Sequence, residues 1–372
     1  MSKQRIVAIE YIRGIAMLGV VAIHTGSASL ANPHVNIHLF ALLEIVSRFS
    51  VPIFFFVSAF GLFLSQDLAS PFAYLTYVKR RFRSVLIPYV VWSLLYMLHA
   101  TLISGDWAVW HISILIQYLF FGLASYQLYW LVILLWFYLL MPLWRWLLKG
   151  ILSHPVATLP ALLFAQILFN YYSSYLIVMT DQPHSLVELL LQYRLNYWVL
   201  HYLFIFLFGG YCAQNYQTVK QWIQYHRGLI VAFFISTLAL MLIFYYFLLF
   251  KLHYTPEQAV NTAHQLSPAG ILYTFASALF LLLCFQSYSL PKLPAKLLQA
   301  LSTHSYAVYL VHPFFLYYLT ELLGRLNLLF TAPVTIGFYV IVVTLSLAFG
   351  RIIKTLSQPY PLIGLLLIGS RK

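Results

Sequence analysis

From residue 229 to residue 250 the chain reads LIVAFFISTLALMLIFYYFLLF, with Arg227 just before it and Lys251 just after. No residue in the run is charged. About 20 consecutive apolar residues suffice for a helix to cross the hydrocarbon core of a bilayer. A single segment can lie there only as a helix, because every backbone N–H and C=O must find a partner without water. The run therefore reads as a membrane-spanning helix. Similar stretches predict about ten spans, centred on residues 14–28, 51–64, 85–102, 129–147, 157–177, 198–214, 229–250, 271–285, 306–322 and 334–350. Residues 112–121 are apolar but short and read as interfacial or re-entrant. The expected fold class is all-α: a polytopic membrane protein with one transmembrane domain over residues 1–354 and a short cytoplasmic or interfacial tail over 355–372. No internal repeat, linker or low-complexity tract interrupts it.

Composition agrees. Of 372 residues, 62% are hydrophobic, 18% aromatic and only 8% charged. A soluble domain carries about 25% charged residues, which excludes an ordinary cytosolic protein. Disorder is excluded too, since it needs low hydrophobicity and high charge. A formal net charge of +13 invites a nucleic-acid reading, but that requires a basic face on a soluble domain. Placement decides otherwise. With the N-terminus inside, inner loops hold Lys3, Arg5, Lys79, Arg80, Arg81, Arg83, Arg145, Lys149, Lys220, Arg227, Lys292, Lys296, Arg351, Lys354, Arg371 and Lys372. Outer loops hold only Arg194, Lys251 and Arg325, while Asp106, Asp181, Glu188, Glu257 and Glu321 also fall outside. This asymmetry is the positive-inside pattern, and an even number of spans puts both termini in the cytoplasm. The charge records orientation, and no nucleic-acid partner is expected.

The N-terminus imitates a secretory signal, with Lys3 and Arg5 before an apolar stretch, but Glu10 and Arg13 interrupt it and no soluble domain follows. Cys212 and Cys284 fall in predicted spans, where thiols are normally inert hydrophobes.

An ionisable group inside a bilayer is costly and is a functional candidate by default. The first span carries Glu10, Arg13 and His24. Arg13 and His24 are eleven residues apart, about three turns, so they share one face roughly 16 Å apart along the axis. Glu10 precedes Arg13 by three and can pair with it. Snorkelling to the headgroups accounts equally well for Arg13 and Glu10. For His24, in mid-helix, the plain alternative is a bond to a neighbouring helix carbonyl. Glu44 and Arg48 open the second span as an i,i+4 pair, placed either at the outer interface or beside His24; SVPIFFFVSAF then reads as a Pro-broken aromatic run. KRRFRSVLIPY, between the second and third spans, concentrates Arg80, Arg81 and Arg83 at the inner face. It fits either a topology anchor on anionic lipid or a clamp for a polyanion, since guanidinium forks suit phosphate. SYAVYLVHPFF places Tyr306, Tyr309 and His312 in the ninth span, with Tyr309 and His312 on one face. His184 and Glu188 lack further ligands, so no metal site is expected. There is no G-x-S-x-G, H-E-x-x-H, Walker loop or G-x-G-x-x-G.

These residues resemble the acyltransferase-3 family of integral membrane acyltransferases. RIVAIEYIRGIAMLGVVAIH resembles its first-helix signature, with an acidic residue, Arg-Gly and Arg-x10-His, here Arg13 to His24. SVPIFFFVSAF resembles its second helix, with Ala59 where Gly is usual. KRRFRSVLIPYVVW matches its basic stretch, and Arg80 and Arg83 supply the Arg-x-x-Arg. YQLYWLVILLWFYLLMPL, with Tyr129 and Trp130, and SYAVYLVHPF resemble two later motifs. The five occur in family order over residues 5 to 314.

The resemblance implies transfer of an acyl group, usually acetyl from acetyl-CoA, to a hydroxyl on an envelope glycan or related acceptor. It implies a multi-pass protein of the bacterial cell membrane, of the type without a fused esterase-like domain. Acetyl-CoA would be a cytoplasmic co-substrate, with no permanently bound cofactor, and membrane lipid the surrounding partner. Neutral His24 can take a hydroxyl proton near pH 7 or carry the acyl group itself. Arg13, held by Glu10, would orient the site or stabilise an oxyanion, and Arg80, Arg81 and Arg83 would hold the CoA phosphates. Glu44, Arg48, Tyr129, Trp130, Tyr306, Tyr309 and His312 would line the substrate path. The competing reading is a transporter or flippase of a glycan or lipid that uses the buried Arg, Glu and His groups, although the repeats transporters often show are not visible.

Overall fold

The computed structural model describes residues 6–179 and 185–370, so Lys3, Arg5, Asp181, His184, Arg371 and Lys372 lie outside the described residues. Every regular element among the described residues is helical. Each of the ten expected segments falls on a helix. Six helices are long and apolar enough to cross a membrane: Val7–Ser29, Tyr74–Ser104, Pro155–Leu176, Arg227–Phe250, Pro268–Ser287 and Ala332–Leu356. The bent pair Tyr129–Leu139 and Met141–Ser153 makes a seventh if counted as one span. Ser50–Phe63 and Val199–Gln214 are apolar but shorter, and residues 306–322 are the second half of a 34-residue helix, Lys292–Arg325. Only 22% of the apolar window of Arg227–Phe250 is buried, so most of its hydrocarbon faces outward, as a lipid-facing helix requires. The chain is a multi-pass membrane protein.

The helices form two compact units. The first comprises Met1–Gln66, Leu162–Tyr171 and Phe204–Arg351. Its axis is the Val7–Ser29 helix against Lys292–Arg325. Gly14 meets Leu298 at one end and His24 meets His312 at the other, so the two helices run in the same direction. A Cβ on Gly14 would lie 2.5 Å from the Leu298 carbonyl oxygen; glycine is what lets the backbones approach, as small residues do between membrane helices. The Tyr339 hydroxyl donates to the Leu18 carbonyl (3.1 Å), which ties the Ala332–Leu356 helix to the first helix in mid-course. The Asn32 amide donates to the Phe330 carbonyl (3.0 Å) where the chain leaves the first helix.

Pro52 does not break the second expected span. Ser50–Phe63 is one helix and Pro52 lies in its first turn, where a missing N–H costs nothing because that N–H has no intrahelical acceptor. The helix buries Phe55, Phe56, Phe60 and Phe63.

The second unit comprises Asp67–Ala161, Tyr172–Leu203 and Ile352–Lys372. Here two prolines do change the expected layout. The segment 129–147 is not one straight span but two helices bent by 72°, with Pro142 in the first turn of the second. The KRRFRSVLIPY stretch is not a loop. Tyr74–Arg81 runs through a π-helical turn, Phe82–Leu86, into Ile87–Ser104. Pro88 has no N–H to give the Ser84 carbonyl four residues back, and the turn widens so that the Ile87 N–H meets the Phe82 carbonyl. π-turns of this kind occur often at functional sites.

Candidate active site

The polar groups of the first unit converge around His24. The first helix presents His24 and, three residues later, Ser27. Gly26 between them leaves room for Glu44, since a Cβ there would lie 2.7 Å from the Glu44 Cγ. Glu44 is 1% exposed. One of its oxygens accepts the Ser27 hydroxyl (2.7 Å) and the other pairs with the Arg48 guanidinium (2.9 Å). A buried carboxylate needs such partners to remain in place. Arg48 also reaches the Val260 carbonyl (3.5 Å). The turn from Glu44 to Arg48 rests on an apolar bed that includes Phe40, Ile45, Tyr245 and Tyr273, and the Tyr273 hydroxyl donates to the Val46 carbonyl within it (2.7 Å).

The Lys292–Arg325 helix supplies the other half. The His312 ring stacks on His24, with centroids 5.3 Å apart and planes inclined by 28°, and Tyr309 lies 6.1 Å from the same ring. His312 is fully buried, whereas His24 is half-buried. Nδ1 of His312 lies 3.1 Å from the Val308 carbonyl. A carbonyl can only accept, so Nδ1 carries the proton of the neutral ring and Nε2 has the lone pair. Nε2 is buried and has no hydrogen-bond partner among the described residues. Pro313 follows within the helix and deprives the Tyr309 carbonyl of its i+4 N–H, which loosens the turn on which the ring folds back.

His264 joins this cluster and was not foreseen from the sequence. It lies in the loop between Pro256–Thr262 and Pro268–Ser287. Burial, and then the positive charge of Arg48, push its pKa down to about 4. Its Nδ1 accepts the Leu266 N–H (3.0 Å), so the neutral ring carries its proton on Nε2. Nothing in NTAHQLSPAG has motif spacing; the loop brings His264 to Arg48 only in three dimensions.

Of the expected residues, His24, Glu44, Arg48, Tyr309 and His312 come together. Tyr306 is half-buried, six residues before His312 on the same helix. Glu10 and Arg13 lie towards the Leu298 end of the first helix, about four and three turns from His24 respectively, each half-buried.

The remaining expected residues belong to the second unit. Arg80, on the helix entering the π-turn, and Arg83, within the turn, are exposed. Arg81 differs: its guanidinium lies between the rings of Tyr77 and Tyr138, 5.5 and 5.4 Å from their centroids. That double cation–π contact draws on two tyrosines the motif did not point to. Trp130 is buried and Tyr129 half-buried at the start of their helix.

Two further arginines of this unit are absorbed by backbone. Arg194, 6% exposed, donates to the carbonyls of Ser173 (2.6 Å), Ile177 (2.9 Å) and Leu191 (2.9 Å). Arg145 donates to those of Asp67, Leu68 and Ser70 and lies over the Phe72 ring. Among the described residues, no group of three or more His, Cys, Asp or Glu is arranged to hold a metal ion.

Comparison with known proteins gives one finding. The model of a protein family described as an acyltransferase domain, acyltransferase 3, matches residues 6–351, nearly the whole chain. No curated protein and no solved structure matches.

Proposed function

Since the chain belongs to the acyltransferase-3 family, and membership supports membrane acyltransferase activity in general, we propose that it moves an acetyl group from acetyl-CoA to a hydroxyl of a cell-envelope glycan or a related acceptor. The proposed setting is the bacterial cell membrane, with about ten spans and both termini in the cytoplasm. His24 takes the proton of the acceptor hydroxyl as its oxygen attacks the thioester carbonyl. The carbon–sulfur bond breaks, and the CoA thiolate recovers a proton. In the carrier variant a ring nitrogen of His24 attacks first, CoA leaves as the thiol, and the acceptor hydroxyl then displaces the acyl group from the ring.

Positioned base catalysis is worth about 10²–10⁴-fold. Arg13, with Glu10, orients the site or balances oxyanion charge, and Arg80, Arg81 and Arg83 hold the donor's phosphates. Glu44, Arg48, Tyr129, Trp130, Tyr306, Tyr309 and His312 line the path of the substrates.

The observation that carries this reading is the surroundings of His24: a second histidine stacked on it at 5.3 Å and a Glu44–Arg48 pair that is itself hydrogen-bonded to Ser27 of the same helix. A histidine kept only to satisfy a neighbouring helix needs one carbonyl, not an assembly of titratable groups. The test is CoA release. Purified protein given acetyl-CoA and candidate sugars should produce free thiol and an acetylated sugar. Movement of unmodified glycan or lipid across vesicles, without thiol release, would contradict the proposal and support the transporter reading.

A further inference from the structure

His24 must lose or relay a proton whichever variant of the reaction operates, and its neighbours differ sharply in their capacity to receive one. Glu44 is engaged by charge: one oxygen accepts the Ser27 hydroxyl and the other forms an ion pair with the Arg48 guanidinium. His264 spends the lone pair of its neutral ring, on Nδ1, on the Leu266 N–H. Tyr309, next to His312, offers a hydroxyl rather than a base. His312 is the neighbouring imidazole that combines a fixed tautomer with an unused lone pair: Nδ1–H is spent on the Val308 carbonyl, and Nε2 is buried without a hydrogen-bond partner. A buried acceptor left unmade costs free energy, so its retention beside His24 asks for a use.

We propose that His312 is a positioning residue for His24 that takes up, on Nε2, the proton His24 must release during acyl transfer. The proposal rests on the acyltransferase reading above. With the ring centroids 5.3 Å apart, rotation of His24 about its Cβ–Cγ bond, a broad torsion in histidine, is the motion the proposal requires to bring a ring N–H of His24 onto Nε2. In the base variant, the acceptor hydroxyl gives its proton to one nitrogen of His24 while the other nitrogen passes its own to His312. In the carrier variant, the acyl-imidazolium formed at His24 loses its remaining ring proton to His312. In both, His312 becomes an imidazolium with Nδ1–H still on Val308. In the base variant its Nε2 proton returns through His24 to the departing CoA thiolate. In the carrier variant it returns to the His24 ring as the acceptor oxygen displaces the acyl group, the acceptor's hydroxyl proton going to balance the CoA thiolate. No proton is gained or lost over the cycle. His312 is fully buried and acts through half-buried His24.

The decisive variant is His312→Asn. Its amide nitrogen occupies the place of Nδ1 and can donate to the Val308 carbonyl as Nδ1–H does, but it cannot carry a proton. A merely structural His312 is replaced by asparagine with little loss, whereas a proton acceptor is not. With acetyl-CoA as donor, kcat for CoA release should fall about 100-fold, with the donor KM within about twofold and the melting temperature unchanged. A kcat within about threefold of the native protein overturns the proposal. Should the variant fail to fold, the native protein still decides. Single-turnover CoA release in mixtures of light and heavy water should curve with deuterium content, as two protons in flight require. A linear dependence, or none, overturns it. Failure here is distinct from failure of the acyltransferase reading: that reading falls if His24→Ala transfers acyl normally, and survives if His24→Ala is inert while His312→Asn is active.

Discussion

Buried arginines in the two units keep different company. Arg48, in the first unit, pairs with a carboxylate, and its charge is felt by the His264 ring. Arg194, in the second, faces three backbone carbonyls, and so does Arg145, which also feels the charge of the exposed Asp67 carboxylate. A carbonyl cannot titrate or transfer anything; an arginine set on several of them closes the end of a helix or turn that would otherwise expose acceptors with no donor. A carboxylate and imidazoles can change protonation state, and their mutual placement then has chemical consequences. Burial of a charge therefore marks importance without saying which kind. The partner says it.

The contrast breaks most visibly at Arg194. Arg194→Met removes the donor to three carbonyls and should cost about 3 kcal/mol of stability, since bonds from a charged donor contribute about 1.5–3 kcal/mol each. The melting temperature should drop while activity per folded molecule holds. A normal melting temperature with lost activity would move Arg194 into the chemistry and erase the distinction.

His264 sharpens the comparison on the side of the first unit. In the folded protein its pKa lies at about 4, against 6.5 ordinarily, so between those values the unfolded chain binds a proton that the native protein refuses. Stability is therefore fully present above pH 6.5 and declines as pH falls towards 4, with a slope of up to about 1.4 kcal/mol per pH unit. Melting temperatures recorded across that window should fall less steeply for His264→Gln. Equal slopes would separate His264 from Arg48.

Gly26→Ala probes the seat of Glu44. The added methyl meets Cγ at 2.7 Å and should shift the carboxylate off Ser27, at an overpacking cost of about 1–3 kcal/mol, with acyl transfer falling more than stability. Gly61→Ala, which meets nothing within 4 Å, is the control.

The smallest effect belongs to the exposed cations. Arg80→Gln with Arg83→Gln should raise the donor KM by roughly tenfold, on the order of 1 kcal/mol or less per surface charge, and leave kcat near normal. An unchanged KM would return them to anchoring the membrane face.

The helical positions were legible in the sequence because apolar runs of bilayer length admit only one backbone solution. Their continuity was less so. Pro52 was read as a break and lies in a first turn where it is harmless, while Pro88 and Pro142 redraw their segments, and one-dimensional hydropathy does not tell these cases apart. At the site, Glu44 and Arg48 could be paired from their i,i+4 spacing, and His24 singled out from its depth. The approach of His312 to His24 depends on two helices that start 285 residues apart in the chain, and that of His264 on an irregular loop. Neither leaves a local spacing to read. Tyr77 and Tyr138, around Arg81, were hidden for the same reason.

The central claim is that the histidine-centred cluster of the first unit performs acyl transfer. The most direct measurement is CoA release from acetyl-CoA by purified His24→Ala, normalised to folded protein. The account predicts a fall of at least about 100-fold with the melting temperature retained. Release at the native rate from that variant would contradict it.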